Sequence, residues 1–486
     1  MDKYYQDRLK KSERLRELGV DPFGEAVRDL TPVGTARERF EEDAQEKPRV
    51  RCAGRVMLLR NMGKAAFFDL RDRSGKIQVY VRRDVVGEEA FKAFRCIEVG
   101  DIVFAAGEVD KTRTGEVTVF AGEVRILSKS LRPLPEKYHG LKDKELRYRR
   151  RHLDLIHNPE VMDTFLKRAR IIRSVREFLD ERGFVEVETP VLQPVYGGAA
   201  ARPFTTHHHT LDMPLYLRIA DELYLKRLLV GGMERVYEVA KNFRNEGMDR
   251  THNPEFTFME CYQAFGDLSD MMDIVEQLVL RLVRDICGGT KLTYQGRTVD
   301  VSPPWKRVSM LDAIRDHAGV DLAGADLEAA RRAARELGIA HDVSVGTGKL
   351  IDLIFSRTTE EHLVEPTFLV DYPVETTPLA RRKKDDPALV DRFEPFLFGS
   401  EIGNAFTELN DPVEQRRRFE EQKALLLAGD EEAQMLDEDF IETLETAMPP
   451  AGGLGLGIDR IVMMLTDSPS IRDVILFPLM RPDEGE

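Results

Sequence analysis

Apolar residues change their spacing along this chain, and the changes mark out its parts. Over the first eighteen residues, Leu9, Leu15 and Leu18 recur roughly on one face of a helix, and Gly19 followed by Pro22 supplies a stop. From Val50 to Leu127 the apolar stretches become short and are punctuated by turns: RVRCAGRVMLL, AAFFDLRD, KIQVYV, DIVFAAGEVD and EVTVFAGEVRIL. Arg73-Ser74-Gly75 and Arg113-Thr114-Gly115 read as hairpin connections, and a helix over Gly87 to Cys96 interrupts the series. Leu131 to Pro135 (LRPLP) is a linker stiffened by prolines. Beyond it, a long amphipathic helix is opened by Asn158-Pro159 and closed by Gly183. Strands and helices then mix without a regular βαβ alternation, which predicts a mixed α+β domain rather than a doubly wound parallel sheet. Residues 267–360 are mostly helical, including LSDMMDIVEQLVLRLVRDI and DLEAARRAARELG, and read as an insertion packed beside the main sheet.

Five short strands with one intervening helix is the strand count of an OB-fold, a small barrel that commonly binds oligonucleotides; other five-stranded barrels share the count. The resulting division is a helical extension over 1–48, a barrel over 49–130, a linker over 131–152 and a larger domain over 153–486. A chain of 486 residues supports more than one core. No apolar run reaches the ~18 residues needed to cross a bilayer. The start, MDKYYQDRLKKSERLRELG, has no apolar signal segment, so a cytoplasmic protein with no membrane partner is expected. Cys52, Cys96, Cys261 and Cys287 are scattered with no CxxC pair, which argues against a disulfide framework and a structural zinc site. A net charge of −14 bears on solubility, whereas a specific nucleic-acid site needs only a local basic surface. Lys142 to Arg151, Lys167 to Arg176 and Arg381 to Lys384 are such clusters, each read first as a solvated face.

Four stretches carry candidate chemistry. Phe184 to Phe204 (FVEVETPVLQPVYGGAAARPF) is a strand broken at Pro190, then a Gly-Gly loop where backbone can approach a ligand. Arg235 to Tyr262 alternates on both sides of a polar loop, as two antiparallel strands with a long hairpin would, and projects Arg244, Glu246, His252, Glu260 and Tyr262. Such a face is either an exposed edge or a phosphate site built around an unneutralised arginine. In Phe398 to Asp411 (FGSEIGNAFTELND), Glu401 and Glu408 are either surface acids or a pair able to hold Mg²⁺ with substrate phosphates. Ala451 to Asp467 (AGGLGLGIDRIVMMLTD) is a glycine-rich strand entering a helix. No acid stands where a dinucleotide loop needs one, and Arg460 at the junction suits an arginine reaching a phosphate.

In this order, these stretches resemble motifs 1, 2 and 3 of the class II aminoacyl-tRNA synthetases, with the acidic loop between motifs 2 and 3. MGKAAFFDLRD, RPLPEKYHGLKDKELRYRRRHLDLI, LRIADELYLKRLLVGG, NFRNEG, HNPEF, EIGNAFTELNDP and GLGLGIDR resemble the lysyl branch, from about residue 50 to the end. The resemblance implies an N-terminal OB-fold that reads the anticodon and an antiparallel catalytic sheet flanked by helices, dimerised through motif 1. It implies ATP and L-lysine as substrates, tRNA(Lys) as partner, Mg²⁺ as cofactor and a homodimer. It assigns Arg244 to the α-phosphate and the lysine carboxylate, Glu246, His252 and Asn253 to ATP, Phe256 to adenine and Arg460 to the γ-phosphate. Arg244, Glu246 and Arg460 form its catalytic set, and Glu401 and Glu408 its Mg²⁺ ligands, Glu401 also serving ATP. Gly198 and Glu222 take the α-amino group, and Glu260, Tyr262, Asn404, Phe406 and Glu408 the side chain. Arg60, Phe67 and Gln78 meet anticodon bases.

The residues are consistent with that chemistry. Attack of a carboxylate on the α-phosphorus of ATP needs positioning, arginine and metal rather than a protein nucleophile. An ammonium in a closed site needs carboxylate and hydroxyl acceptors, which Glu260 and Tyr262 supply. Acids at Glu260 and Glu408 would repel an aspartate side chain. Cys261 should face the opposite side of its strand as a small hydrophobe, and His207, His208 and His209 cannot all face one point from a strand.

Overall fold

The computed structural model describes residues 3–42, 45–135, 143–341 and 345–482. Residues 136–142 of the expected linker lie outside the described residues. The chain divides into two compact units, Met1–Lys142 and Asp143–Glu486.

In the first unit, β1 (Arg49–Asn61), β2 (Ala65–Asp72), β3 (Gly75–Arg82), β4 (Ile102–Lys111) and β5 (Val117–Ser128) close a barrel in the order β1-β2-β3-β5-β4. All neighbours are antiparallel except β3 and β5. The period-two pattern fills the inside: Phe68, Leu70, Val79, Val81, Val103, Ala105 and Val119 form its core. The helix Lys3–Glu17 exists as the sequence predicts, but its buried face holds Arg8, Ser12 and Leu15 rather than Leu9, Leu15 and Leu18. Arg8 donates to the carbonyls of Ser130 (2.9 Å) and Val99 (3.0 Å), so part of this helix docks by hydrogen bonds to loop backbone, which apolar spacing does not reveal.

The second unit is built on a mixed sheet of β6 (Val185–Glu186), β7 (Arg235–Phe243), β8 (Glu255–Ala264), β9 (Lys306–Ser309), β10 (Thr367–Pro373), β11 (Leu389–Leu397), β12 (Gly403–Thr407) and β13 (Ala451–Gly457). The order is β9-β10-β11-β12-β13-β8-β7-β6, parallel only at the ends, β9 with β10 and β6 with β7. Residues Ser400–Glu401 turn back to pair on β11. Against one face lie the helices Pro159–Asp180, Leu268–Cys287 and Ile458–Leu465, packing Ile171, Val175, Leu278 and Val462 on Met259, Cys261, Leu454 and Leu456. Cys261 is thus a core residue, and its thiol is pushed up in pKa by burial.

Residues 267–360 are not one inserted body. The helix Leu268–Cys287, opened by an Asp267/Asp270 capping box, belongs to the main core because its stripe from Met271 to Val283 covers the sheet. β9 joins the sheet edge, while the helices Met310–Ala318, Leu327–Glu336 and Thr347–Thr358 build a second core with Leu369, Tyr372 and Phe396.

The other sheet face is polar, and glycine makes room for it. A Cβ at Gly453 would sit 1.9 Å from Glu408 Oε1 and 2.5 Å from the Tyr262 ring, and one at Gly455 would sit 2.4 Å from the Phe258 ring. The glycine-rich strand is therefore a floor on which side chains of β8 and β12 lie flat.

Candidate active site

The floor supports an acidic chamber. On β8, Glu260 and Tyr262 share a face by strand alternation, and the Tyr262 hydroxyl donates to Glu260 Oε2 at 3.1 Å. Glu260 Oε1 accepts the Asp221 backbone N–H at 3.2 Å. Burial, then the Glu222 charge, pushes the Glu260 carboxyl up to about 7. Glu222 opens the helix Glu222–Val230 and is buried; Glu408, just past β12, is buried as well. Lys226, one turn after Glu222, lies 2.5 Å from Glu222 and also pairs with Glu408. Burial opposes the Lys226 ammonium, but the two carboxylates outweigh it and raise its pKa. Gly198, at φ +90°, lies against this helix: its N–H donates to Gln434 at 3.2 Å, and a Cβ there would be 3.0 Å from the Glu222 Cβ. Phe406 walls the chamber, its ring 5.4 Å from Lys226 Nζ. Gly198, Glu222, Glu260, Tyr262, Phe406 and Glu408 are therefore neighbours, drawn from four separate stretches of chain.

Arg244, the first residue after β7, stands beside the chamber. Its Nε donates to the Ile219 carbonyl at 3.4 Å, and its guanidinium lies 5.1 Å from the Phe256 ring centroid. Burial lowers its pKa while Glu246, Glu401 and Glu260 support its charge. On the far side, Arg460 donates to the Glu401 carbonyl at 2.6 Å and lies 3.1 Å from His252 Nε2. His252 Nδ1 is 2.8 Å from Asp249, which fixes the ring. Asn253 is buried and donates to the Glu255 carbonyl at 2.6 Å, holding the loop rather than facing outward. Glu246 is exposed on the loop. The helix bearing Arg460 is anchored by Asp459, which accepts from Arg168 at 2.5 Å and from the Thr257 N–H at 2.7 Å.

The expected acid pair needs correction. Glu408 faces Lys226, Glu222 and Glu260, and these are the charges that act on it most strongly. Glu401 instead interacts with Glu394 on β11, brought there because Ser400–Glu401 folds back along β11 with Phe396 opposite Glu401. Glu394 is gripped by Arg392 (2.5 Å) and the Tyr372 hydroxyl (2.6 Å). Burial, then the Glu401 and Asp352 charges against Arg392, pushes it up to about 8. Glu360, near the same group, is pushed up to about 7 by burial and Glu401. Acids held this close together favour a cation between them. Hard oxygen donors in a pair, completed by phosphates, are a fitting set for Mg²⁺. Among the described residues no group of three or more His, Cys, Asp or Glu is arranged to hold a metal alone. Asn404 belongs on this side of the site, accepting from Arg392 at 2.7 Å. Sequence reasoning missed Lys226, Arg392 and Glu394. Lys226 was visible only as an i,i+4 partner of Glu222, and Glu394 only as an acid seven residues before Glu401.

In the barrel unit, Arg60, Phe67 and Tyr80 are cross-strand neighbours, and Tyr80 pairs with Phe120. Phe67 and Tyr80 stack at 4.3 Å, with Phe120 edge-on to Tyr80 at 5.6 Å. Phe68 faces the core and Phe67 the outer face, where Gln78 accepts from Thr118 at 3.0 Å. Tyr80 and Phe120 extend the aromatic surface beyond the expected residues.

The family model for tRNA synthetases class II (D, K and N) matches residues 143–481, the stretch that carries the glycine-floored sheet and its acidic chamber. The model for an OB-fold nucleic acid binding domain matches residues 50–127. The chain belongs to the class II tRNA synthetases. Its relatives include proteins named lysine–tRNA ligase from Moorella thermoacetica (55% identical, covering 98% of this chain and 97% of the relative) and Carboxydothermus hydrogenoformans (53%, covering 98% and 97%). A third, from Roseiflexus sp., is 52% identical and covers 99% of each chain. Within the class, the chain belongs to the lysine–tRNA ligase family.

Proposed function

We infer that this protein activates L-lysine with ATP and transfers it to the 3′ end of tRNA(Lys). The observation that carries this reading is the chamber of Glu222, Glu260 and Glu408 beside Arg244: acids for ammonium groups, and an arginine for a carboxylate and a phosphate. In the first step the lysine carboxylate attacks the α-phosphorus, a P–O bond forms, and the bond to the β-phosphate breaks to release diphosphate. Arg244 holds the attacking carboxylate and the α-phosphate together and stabilises the developing charge. Arg460, steadied by Glu401 and His252, covers the nucleotide from the opposite face, and Phe256 stacks on the base. Glu394 and Glu401 would hold Mg²⁺, which when bound supplies charge neutralisation on the phosphate oxygens. Glu246 serves ATP from the loop. Lysine-dependent ATP–pyrophosphate exchange, followed by charging of tRNA(Lys), tests the reading. Exchange with another amino acid and none with lysine would overturn it.

Lysine use should depend on pH through Glu260. Burial and the Glu222 charge push its carboxyl up to about 7, and only the carboxylate pairs with an ammonium. Affinity is therefore full above that value and lost as pH falls through it, so the lysine KM should rise toward tenfold per pH unit below about 7. A KM that stays flat from pH 8 to 5.5, with ATP saturating, would remove Glu260 from the pocket.

The barrel selects tRNA by its anticodon in this reading, with Phe67 stacking on a base and Arg60 and Gln78 beside it. A stacked base is worth about 1–3 kcal/mol. Phe67→Ala should weaken tRNA charging while leaving pyrophosphate exchange intact, since Phe67 is on the outer face of a barrel in the other unit. Loss of both activities together would contradict that assignment.

The proposed assembly is a homodimer formed through motif 1, and its support is an exposed apolar patch. Leu166, Val185, Val191 and Leu192 are 43%, 50%, 40% and 48% exposed on and beside its helix and strand. Among the described residues no helix is long and apolar enough to cross a membrane, and a cytoplasmic site of action is proposed.

A further inference from the structure

One cation is sealed inside the pocket without a part in the chemistry above. The Lys226 side chain has no solvent exposure, and it bonds Glu222 on its own helix and Glu408 beyond β12. The Phe406 ring lies over it, Glu260 and Tyr262 feel the same Glu222 carboxylate, and Arg244 faces Glu260 from the loop after β7. One layer deeper, Arg218 is 3.2 Å from Asp221 and 2.7 Å from Glu238. Elsewhere on its helix, Arg227 pairs with Asp437 and Asp439.

Buried ion pairs contribute little net stability, because desolvation offsets their attraction. Charge balance gives this one a purpose. With Glu222, Glu260 and Glu408 ionised, as they are when ammonium groups face them, three carboxylates against the single Lys226 ammonium leave two net negative charges, and Arg244 stands apart with a positive charge of its own. An amino acid with two ammonium groups and one carboxylate matches that pattern.

We propose that Lys226 is a specificity-determining positioning residue, a resident counter-ion that matches the pocket's charge to a dicationic amino acid and aims Glu222 and Glu408. The proposal rests on the lysine reading above. Without this ammonium the three acids repel one another, lose their common orientation and retain an unmatched charge when substrate is bound.

The test uses the full-length chain in lysine-dependent pyrophosphate exchange. Lys226→Met removes the charge but keeps much of the volume, and Lys226→Gln keeps a hydrogen-bond donor should the first variant fold poorly. Each should raise the lysine KM by at least about tenfold, with the ATP KM unchanged and kcat within a few-fold. The double variant Lys226→Met/Glu408→Gln restores the charge balance and should bind lysine better than Lys226→Met alone, a coupling that a packing role would not produce. Additive losses in the double variant, or an unchanged lysine KM in both single variants, would overturn the role of Lys226. Absence of lysine-dependent exchange in the unaltered protein would instead overturn the lysine reading itself.

Discussion

Arg244→Ala should lower kcat/KM for lysine-dependent pyrophosphate exchange by about 10²–10³-fold, the scale seen when a preorganised charge-stabilising donor is removed. The reason lies in how little the rest of the protein asks of this side chain. Its one hydrogen bond to protein given by the structure is a long contact with the Ile219 carbonyl, at 3.4 Å, and its guanidinium otherwise leans over Phe256. Burial lowers its pKa, so its charge is held against a desolvation cost, and among the described residues no carboxylate forms a salt bridge with it. Such a group is kept available for a ligand. Its removal should leave the melting temperature near that of the unaltered protein. Arg244→Lys should recover only part of the loss, because an ammonium cannot bridge a carboxylate and a phosphate in one plane. Exchange within threefold of normal in Arg244→Ala would show that the α-phosphate is held elsewhere.

The second large effect separates the two sets of acids. Glu394→Gln and Glu401→Gln should each reduce exchange by about 10²-fold and raise the Mg²⁺ concentration needed for half-maximal activity, because a hard anionic ligand is lost at nearly constant volume. Excess Mg²⁺ should restore part of the activity in these variants. Glu408→Gln should behave differently, raising the lysine KM with no change in Mg²⁺ dependence, since Glu408 lies in the chamber with Lys226 and Glu222. If Glu408→Gln shifts the Mg²⁺ requirement and Glu394→Gln does not, the metal belongs to the pair first expected from the sequence.

Much of this could be read from the chain, because it depends on local periodicity. Alternation on β8 puts Glu260 and Tyr262 on one face and Cys261 in the core, and the structure has them so. The same rule puts Phe67 and Phe68 on opposite faces without saying which is inside, and the barrel takes Phe68. The turn-punctuated strands closed into the expected five-stranded barrel. The glycines of β13 were legible as a glycine-rich strand entering a helix, but not what they make room for: Glu408, Tyr262 and Phe258.

What the sequence could not settle is which distant groups share a space. Glu394, Glu401 and Glu408 are spaced by seven residues each, so spacing alone treats the two possible pairs alike. The choice is made by a reversal at Phe398 and Gly399, both at positive φ, which lays Glu401 back along β11 beside Glu394 while the chain continues through β12 and carries Glu408 across the sheet. Lys226 is a similar case. On a helix alone, an i,i+4 Glu–Lys pair is an ordinary solvated contact of a few tenths of a kcal/mol. Only the packing of that helix over β7 and β8 excludes water and brings Lys226 to Glu408, turning the pair into the charged interior of a binding pocket. Periodicity determines which way a side chain faces because sterics act between neighbouring residues. Which charges meet, and how strongly they interact, depends on burial and strand order, and those are properties of the assembled sheet.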